Sequence, residues 1–132
     1  MKNPRIVRTD KAPKPVGLYP HARRVGTLLF LSGVGSREPG TDKIPATFEG
    51  QCRSVFRNVR VILEEAGSSW DRLVDVTVYL TDMKRDFKTY NKLYAEYFKD
   101  NQPCRTTLGI ASLPTAIAIE LKCIATIGKE PR

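Results

Sequence analysis

The chain has 132 residues, is 41% hydrophobic and carries a formal charge of +8. That length fits one domain, residues 1–132, whose small core would gain from self-association. No run of about 18 apolar residues exists, so no membrane span is expected, and the charged, proline-bearing start lacks the apolar stretch of a secretory signal.

In chain order, residues 1–12 are read as a loose N-terminal segment, within which Ile6-Val7-Arg8 has the makings of a short edge strand. Pro13, Pro15 and Gly17 mark an irregular connection. His21 to Val25 and Leu28 to Leu31 flank Gly26-Thr27, which is a hairpin signal, and the second run is apolar enough for burial on both faces. Residues 34–46 hold Gly35, Pro39, Gly40 and Pro45 and are expected to form the longest loop. From Phe48 the period changes. Cys52, Val55, Phe56, Val59, Ile62, Leu63 and Ala66 follow at spacings of three and four, which predicts a helix closed by Gly67.

Leu73 to Leu80 alternates Val74, Val76, Val78 and Leu80 with Asp75, Thr77 and Tyr79, so it is a strand. A second helix is predicted over 87–98, where Phe87, Tyr90, Asn91, Tyr94, Tyr97 and Phe98 include spacings of three and four, an aromatic stripe that reads as core packing. Residues 105–111 are strand-like. The final strand, 117–127, puts Ile117, Ile119, Leu121, Cys123, Ala125 and Ile127 on one face. The order β-β-β-α-β-α-β-β gives an α+β fold, a mixed sheet with two helices packed on one face. With no third helix, another copy of the chain is the expected cover for the opposite face.

Several residues are candidates for chemistry. Arg105 opens a strand after Pro103-Cys104, and its planar fork suits a carboxylate, although a surface arginine is the commoner case. Glu120 lies between Ile119 and Leu121, where a half-buried carboxylate can orient a water; an ion pair with Lys122 on the same face is an equal alternative. Ser32-Gly33 ends a buried strand and lets a ligand approach the backbone. His21 is the sole histidine, so no nucleophile–base–orienter set can be assembled. Cys52, Cys104 and Cys123 form no CxxC pair, which argues against a metal site and for free thiols in the cytoplasm. The basic excess, much of it between Lys2 and Arg24, favours anionic partners of any kind; without an RNA-recognition signature, a nucleic-acid partner is not favoured.

Seven stretches together resemble the RidA/YjgF superfamily. They are Pro15-Val16-Gly17-Leu18-Tyr19, Phe30-Leu31-Ser32-Gly33, Glu65-Ala66-Gly67-Ser68-Ser69, Val76 to Met83, Tyr94-Ala95-Glu96-Tyr97-Phe98, Pro103-Cys104-Arg105-Thr106-Thr107 and Ile119 to Ala125. They run through residues 13–127 in the family's order. The resemblance implies a chorismate-mutase-like fold assembled as a homotrimer with three intersubunit clefts. It also implies deamination of enamines and imines by water, without metal or organic cofactor. The family's carboxylate-binding arginine lands on Arg105 and its water-positioning glutamate on Glu120. Tyr19, Ser32 and Gly33 would line the cleft, and the backbone around Thr107 would help hold the water.

Pro20-His21-Ala22 and the run from Val34 to Pro39 depart from the commonest family pattern and are similar to the 2-aminomuconate deaminase branch. That likeness implies a dicarboxylate substrate, with Arg37 as a second cation beside Arg105. The expectation is therefore a hydrolytic deaminase of a small carboxylate, 2-aminomuconate first. The alternatives are a general 2-imino acid deaminase, and a non-enzymatic metabolite sensor or RNA-directed protein.

Overall fold

A computed structural model describes residues 5–128. Its strands are β1 (Ile6–Val7), β2 (Ala22–Val25), β3 (Leu28–Leu31), β4 (Val34–Gly35), β5 (Leu73–Leu80), β6 (Cys104–Gly109) and β7 (Ile119–Thr126); its helices are α1 (Phe48–Glu65) and α2 (Met83–Tyr97). Strict alternation makes β7 the centre of the sheet. Ile119, Leu121, Cys123 and Ala125 are fully buried, whereas Glu120, Lys122, Ile124 and Thr126 between them are half-buried on the other face. The sheet runs β1-β2-β3-β7-β5-β6, with β4 also paired to β7. All pairs are antiparallel except β5 with β6, which α2 joins as a crossover.

Helix α1 packs on β4 and β7, and α2 packs on α1 and β5. Thr47 caps α1 by accepting from the Gly50 amide at 3.0 Å. At the other end Gly67 takes φ +89°, and the amides of Gly67 and Ser68 close on the carbonyls of Glu64 and Leu63. Phe56 anchors the layer: its ring lies 4.7 Å from Tyr97, 5.9 Å from Phe98 and 6.3 Å from both Trp70 and Tyr94.

The α+β expectation holds, with five local corrections. The segment read as loose is held from Ile6 onward: β1 pairs with β2, and Ala12 is buried in the core; residues 1–4 lie outside the described residues. Val34–Gly35, expected within a loop, forms β4, because β7 offers it a partner that local sequence does not reveal. Helix α2 begins at Met83, not 87, since Asp82 accepts from the Arg85 amide and starts a charged first turn ahead of the aromatic stripe. The last two strands are shorter than expected at their ends. Finally, Leu29 and Leu31 are buried but Leu28 and Phe30 face the side without helices, so β3 is covered on one face only. Among the described residues no helix is long and apolar enough to cross a membrane.

Phe56→Ala removes the ring around which four others pack. A loss of about 3–5 kcal/mol in unfolding free energy is expected, read by urea denaturation.

Candidate active site

Two groups of residues at different places on the sheet have the chemistry of a site. The first gathers around Glu120. The hairpin β2–β3 ends at Ser32, whose amide donates to the His21 carbonyl at 3.0 Å and whose hydroxyl donates to the Pro20 carbonyl at 2.6 Å. The chain then runs through Gly33 into β4, where Gly35 is the register partner of Glu120 on β7. This brings Gly33 so near the carboxylate that a Cβ there would lie 2.7 Å from Glu120 Oε2. Glycine is required by this close approach.

Tyr19, Arg37 and Ile117 line the pocket with Gly33 and Glu120, and Ser32 lines the adjoining one. Burial alone pushes the Glu120 carboxyl above its ordinary range. Lys122 donates to the Leu31 carbonyl, so the ion pair entertained from the sequence is not made. His21 is buried and fully engaged. The Thr9 amide donates to Nδ1 at 3.3 Å, so Nε2 bears the proton and donates to the Pro13 carbonyl at 2.8 Å. This histidine secures the N-terminal segment, and although it lines the same adjoining pocket as Ser32, both of its ring nitrogens are engaged with residues 9 and 13. Arg37 donates to Asp42 Oδ1 at 2.8 Å and to the Lys14 carbonyl at 2.7 Å, so its guanidinium is already engaged.

The second group lies on β6, the edge strand. Arg105 is exposed, with Cζ 4.7 Å from the centre of the Tyr94 ring and 5.3 Å from that of Tyr90. It donates from Nη1 to Asn91 Oδ1 at 2.8 Å. Two residues on, the Thr107 hydroxyl meets the Tyr90 hydroxyl at 2.8 Å. Burial raises both phenols above the ordinary tyrosine range, so the rings beneath the guanidinium are neutral. Cys104 is exposed beside Arg105, while burial pushes the Cys52 and Cys123 thiols up to about 12.

Within one chain these groups do not meet. Arg105 is the register partner of Val76, whose side chain is buried under the helices. Glu120 is the partner of Tyr79, on the opposite face. Arg105 and Thr107 therefore sit on the helix side at the sheet edge, and Tyr19, Ser32, Gly33, Arg37 and Glu120 cluster by the open side.

A family model described as Endoribonuclease L-PSP matches residues 9–127. A RutC family protein of Aquifex aeolicus is 42% identical over 92% of this chain and 98% of its own length. The chain belongs to the RidA/YjgF family. Reactive Intermediate Deaminase A of Arabidopsis thaliana, a chloroplast protein, is 40% identical over 92% of this chain and 65% of its own. The crystal structure of RidA from an Antarctic Psychrobacter superposes with a TM-score of 0.88 at 34% identity, covering 92% of this chain and 98% of that one. The sheet and two helices described above are thus the RidA/YjgF fold.

Sequence reasoning missed two features of this RidA/YjgF chain. Asn91 and the rings of Tyr90 and Tyr94 serve Arg105 as well as the core; their spacing on α2 was visible, their second use was not. Gln51, Ser54 and Asn58 form a buried polar seam on α1, signalled only by spacings of three and four beside the apolar stripe.

The Glu120 shift has a defined sign in stability. Its folded-state pKa lies above the unfolded value, so the stability present below the unfolded pKa is lost progressively as pH rises from there through the folded pKa. Glu120→Gln is expected to raise the melting temperature at neutral pH, with the gain disappearing as pH falls to where both side chains are neutral. Thermal melts across that range check it.

Proposed function

We propose that this protein hydrolyses enamine or imine acids to the 2-oxo acid and ammonia. The observation that carries the reading is Glu120: a half-buried carboxylate of raised pKa that no side chain or amide among the described residues bonds, beside Gly33 and Tyr19. A carboxylate of raised pKa is a better proton acceptor than an ordinary surface carboxylate and can later return the proton. The name of the Arabidopsis relative agrees with this class of reaction. The endoribonuclease wording of the family description finds less support at the site, because His21, the sole histidine, is tied to residues 9 and 13.

In this reading Arg105 binds the substrate carboxylate through its fork, held flat by the Tyr90 and Tyr94 rings and by Asn91. The enamine tautomerises to the imine. Water adds to the C=N carbon while Glu120 accepts its proton, and the proton passes to the nitrogen of the carbinolamine. The carbinolamine hydroxyl then gives its proton to the nitrogen by way of the same carboxylate, and ammonia leaves as the carbonyl forms. The chemistry asks nothing of a metal or organic cofactor. Because Arg105 and Glu120 lie on opposite faces of the sheet, one cleft needs both from different copies of the chain. We take the assembly to be a homotrimer with three such clefts, in the cytoplasm. The exposure of Val16 at 53% and Leu18 at 101%, next to Tyr19, agrees with contact to another copy.

On substrate size, Arg105 alone suffices for a short 2-imino acid, and this is the leading reading. The finer one, 2-aminomuconate, is favoured by Arg37 lining the Glu120 pocket, but its second carboxylate would have to displace Asp42 from that guanidinium. Comparing ammonia release from iminopropionate and 2-aminomuconate, each with Arg37→Ala, separates them: only the dicarboxylate should suffer from the substitution.

Arg105→Ala should lose about 1.5–3 kcal/mol of transition-state binding, roughly ten- to hundredfold in kcat/KM. Unchanged ammonia release would sink the proposal, and saturable binding of imino acids without turnover would make the protein a sensor. A second measurement addresses the shared cleft. Chains bearing Arg105→Ala and Glu120→Gln, each impaired alone, should regain about a quarter of wild-type activity when refolded together, the share of randomly mixed interfaces that keep both groups. No recovery would place the whole site in one chain.

A further inference from the structure

The Glu120 carboxylate depends on two short pieces of chain that have little hold of their own. One is the segment 33–37, whose only regular structure is the two residues of β4. The other is the entry to β7 at Ala118, two residues before Glu120. Both are bonded by one buried side chain of α1. Gln51 Oε1 accepts from the Ser36 hydroxyl at 3.0 Å and from the Ala118 amide at 2.8 Å. The next polar positions on the same side of the helix continue the clasp. Ser54 donates to the Ser36 carbonyl at 3.0 Å, and Asn58 Nδ2 donates to the carbonyls of Gly35 at 3.0 Å and Arg37 at 2.9 Å. Ser36 and Asn58 have no solvent exposure, so water cannot replace these bonds cheaply.

The polar seam is therefore more than a device for satisfying a loop. It ties to one helix the carbonyl of Gly35, which is the cross-strand partner of Glu120, and the amide of Ala118, which lies just before β7 and two residues ahead of Glu120. We propose that Gln51, assisted by Asn58, is a positioning residue that seats the Glu120 carboxylate against Gly33. This rests on the deaminase reading above for its consequence in catalysis, but the seating itself does not. The other titratable or charged groups around Glu120 are Tyr19 and Arg37 at the pocket, Tyr79 across the strand and Lys122 on the same face; none is altered in the test.

The test is the carboxyl titration of Glu120 by carbon NMR, assigned by its absence in Glu120→Gln. In Gln51→Leu and Asn58→Leu the segment loosens and the carboxylate is rehydrated, so its midpoint should fall by about 0.5 pH or more toward the ordinary glutamate range. The acid limb of kcat/KM should move with it, and kcat should fall about ten- to hundredfold with KM nearly constant. Leu93→Ala serves as the control: it removes a buried side chain of α2, off the helix that carries the clasp, and should leave the titration unmoved. If both leucine variants fail to fold, Ser54→Ala, which removes a single bond of the clasp, must still shift the midpoint in the same direction. An unmoved midpoint in the folded variants overturns the proposal. A wild-type protein that releases no ammonia would instead overturn the deaminase reading, with the NMR titration still deciding what seats Glu120.

Discussion

Strand β7 separates two environments across its own backbone, and the rest of the structure follows from that separation. Its odd-numbered residues fill the core beneath α1, and the apolar area buried there is the main source of stability. Those contacts fix the register absolutely, since a slip of one residue would send Glu120 and Lys122 into the core. The same register fixes Glu120 on the opposite face, opposite Tyr79 on one side and Gly35 on the other. The position of the candidate acid–base group is thus a by-product of core packing, held with the full cooperativity of the sheet.

Arg105 is held by a different principle. It sits on an exposed edge strand, where burial fixes little, and its orientation comes from the two rings below it and from Asn91. A guanidinium over aromatic faces loses little hydration and keeps its fork in the plane a carboxylate needs. Helix α2 therefore has two duties: Tyr90 and Tyr94 are buried in the core, and their faces toward β6 support the cation. In the proposed reaction the anion binder and the base would lie on opposite sides of one sheet, and a single chain would be a poor catalyst. Joining the edge of one copy to the open face of another would bring them together without rearranging either.

What the sequence revealed and what it hid divide along the range of the forces involved. The α1 stripe and the β7 alternation are legible because one periodic signal persists over many residues and burial rewards it uniformly. The first turn of α2 was obscured because Lys84, Arg85 and Asp86 break the apolar pattern, although Asp82 was a visible cap. Strand β4 has only two residues and no propensity of its own; it exists because β7 and the Asn58 amide supply partners distant in sequence. Arg37 read as a free cation because its partners, Asp42 and the Lys14 carbonyl, depend on how a proline-rich loop folds back. Glu120 was singled out by its apolar neighbours and by the family resemblance, yet its approach to Gly33 joins residues 87 positions apart (120 against 33) and could not be read locally.

The carboxylate also illustrates why such a site is kept at some expense to the fold. Leaving a half-buried charge without a hydrogen-bond partner is unfavourable, and a protein selected only for stability would pair it with Lys122 or replace it. Here Lys122 is turned to the Leu31 carbonyl, and Gly33 yields its side chain to keep the space beside the carboxylate. Both choices preserve an acceptor that burial holds above the ordinary carboxylate range. The buried bonds of Gln51, Ser54 and Asn58 hold the 33–37 segment against β7 and, in the reading proposed here, thereby keep Glu120 less hydrated than an ordinary surface carboxylate.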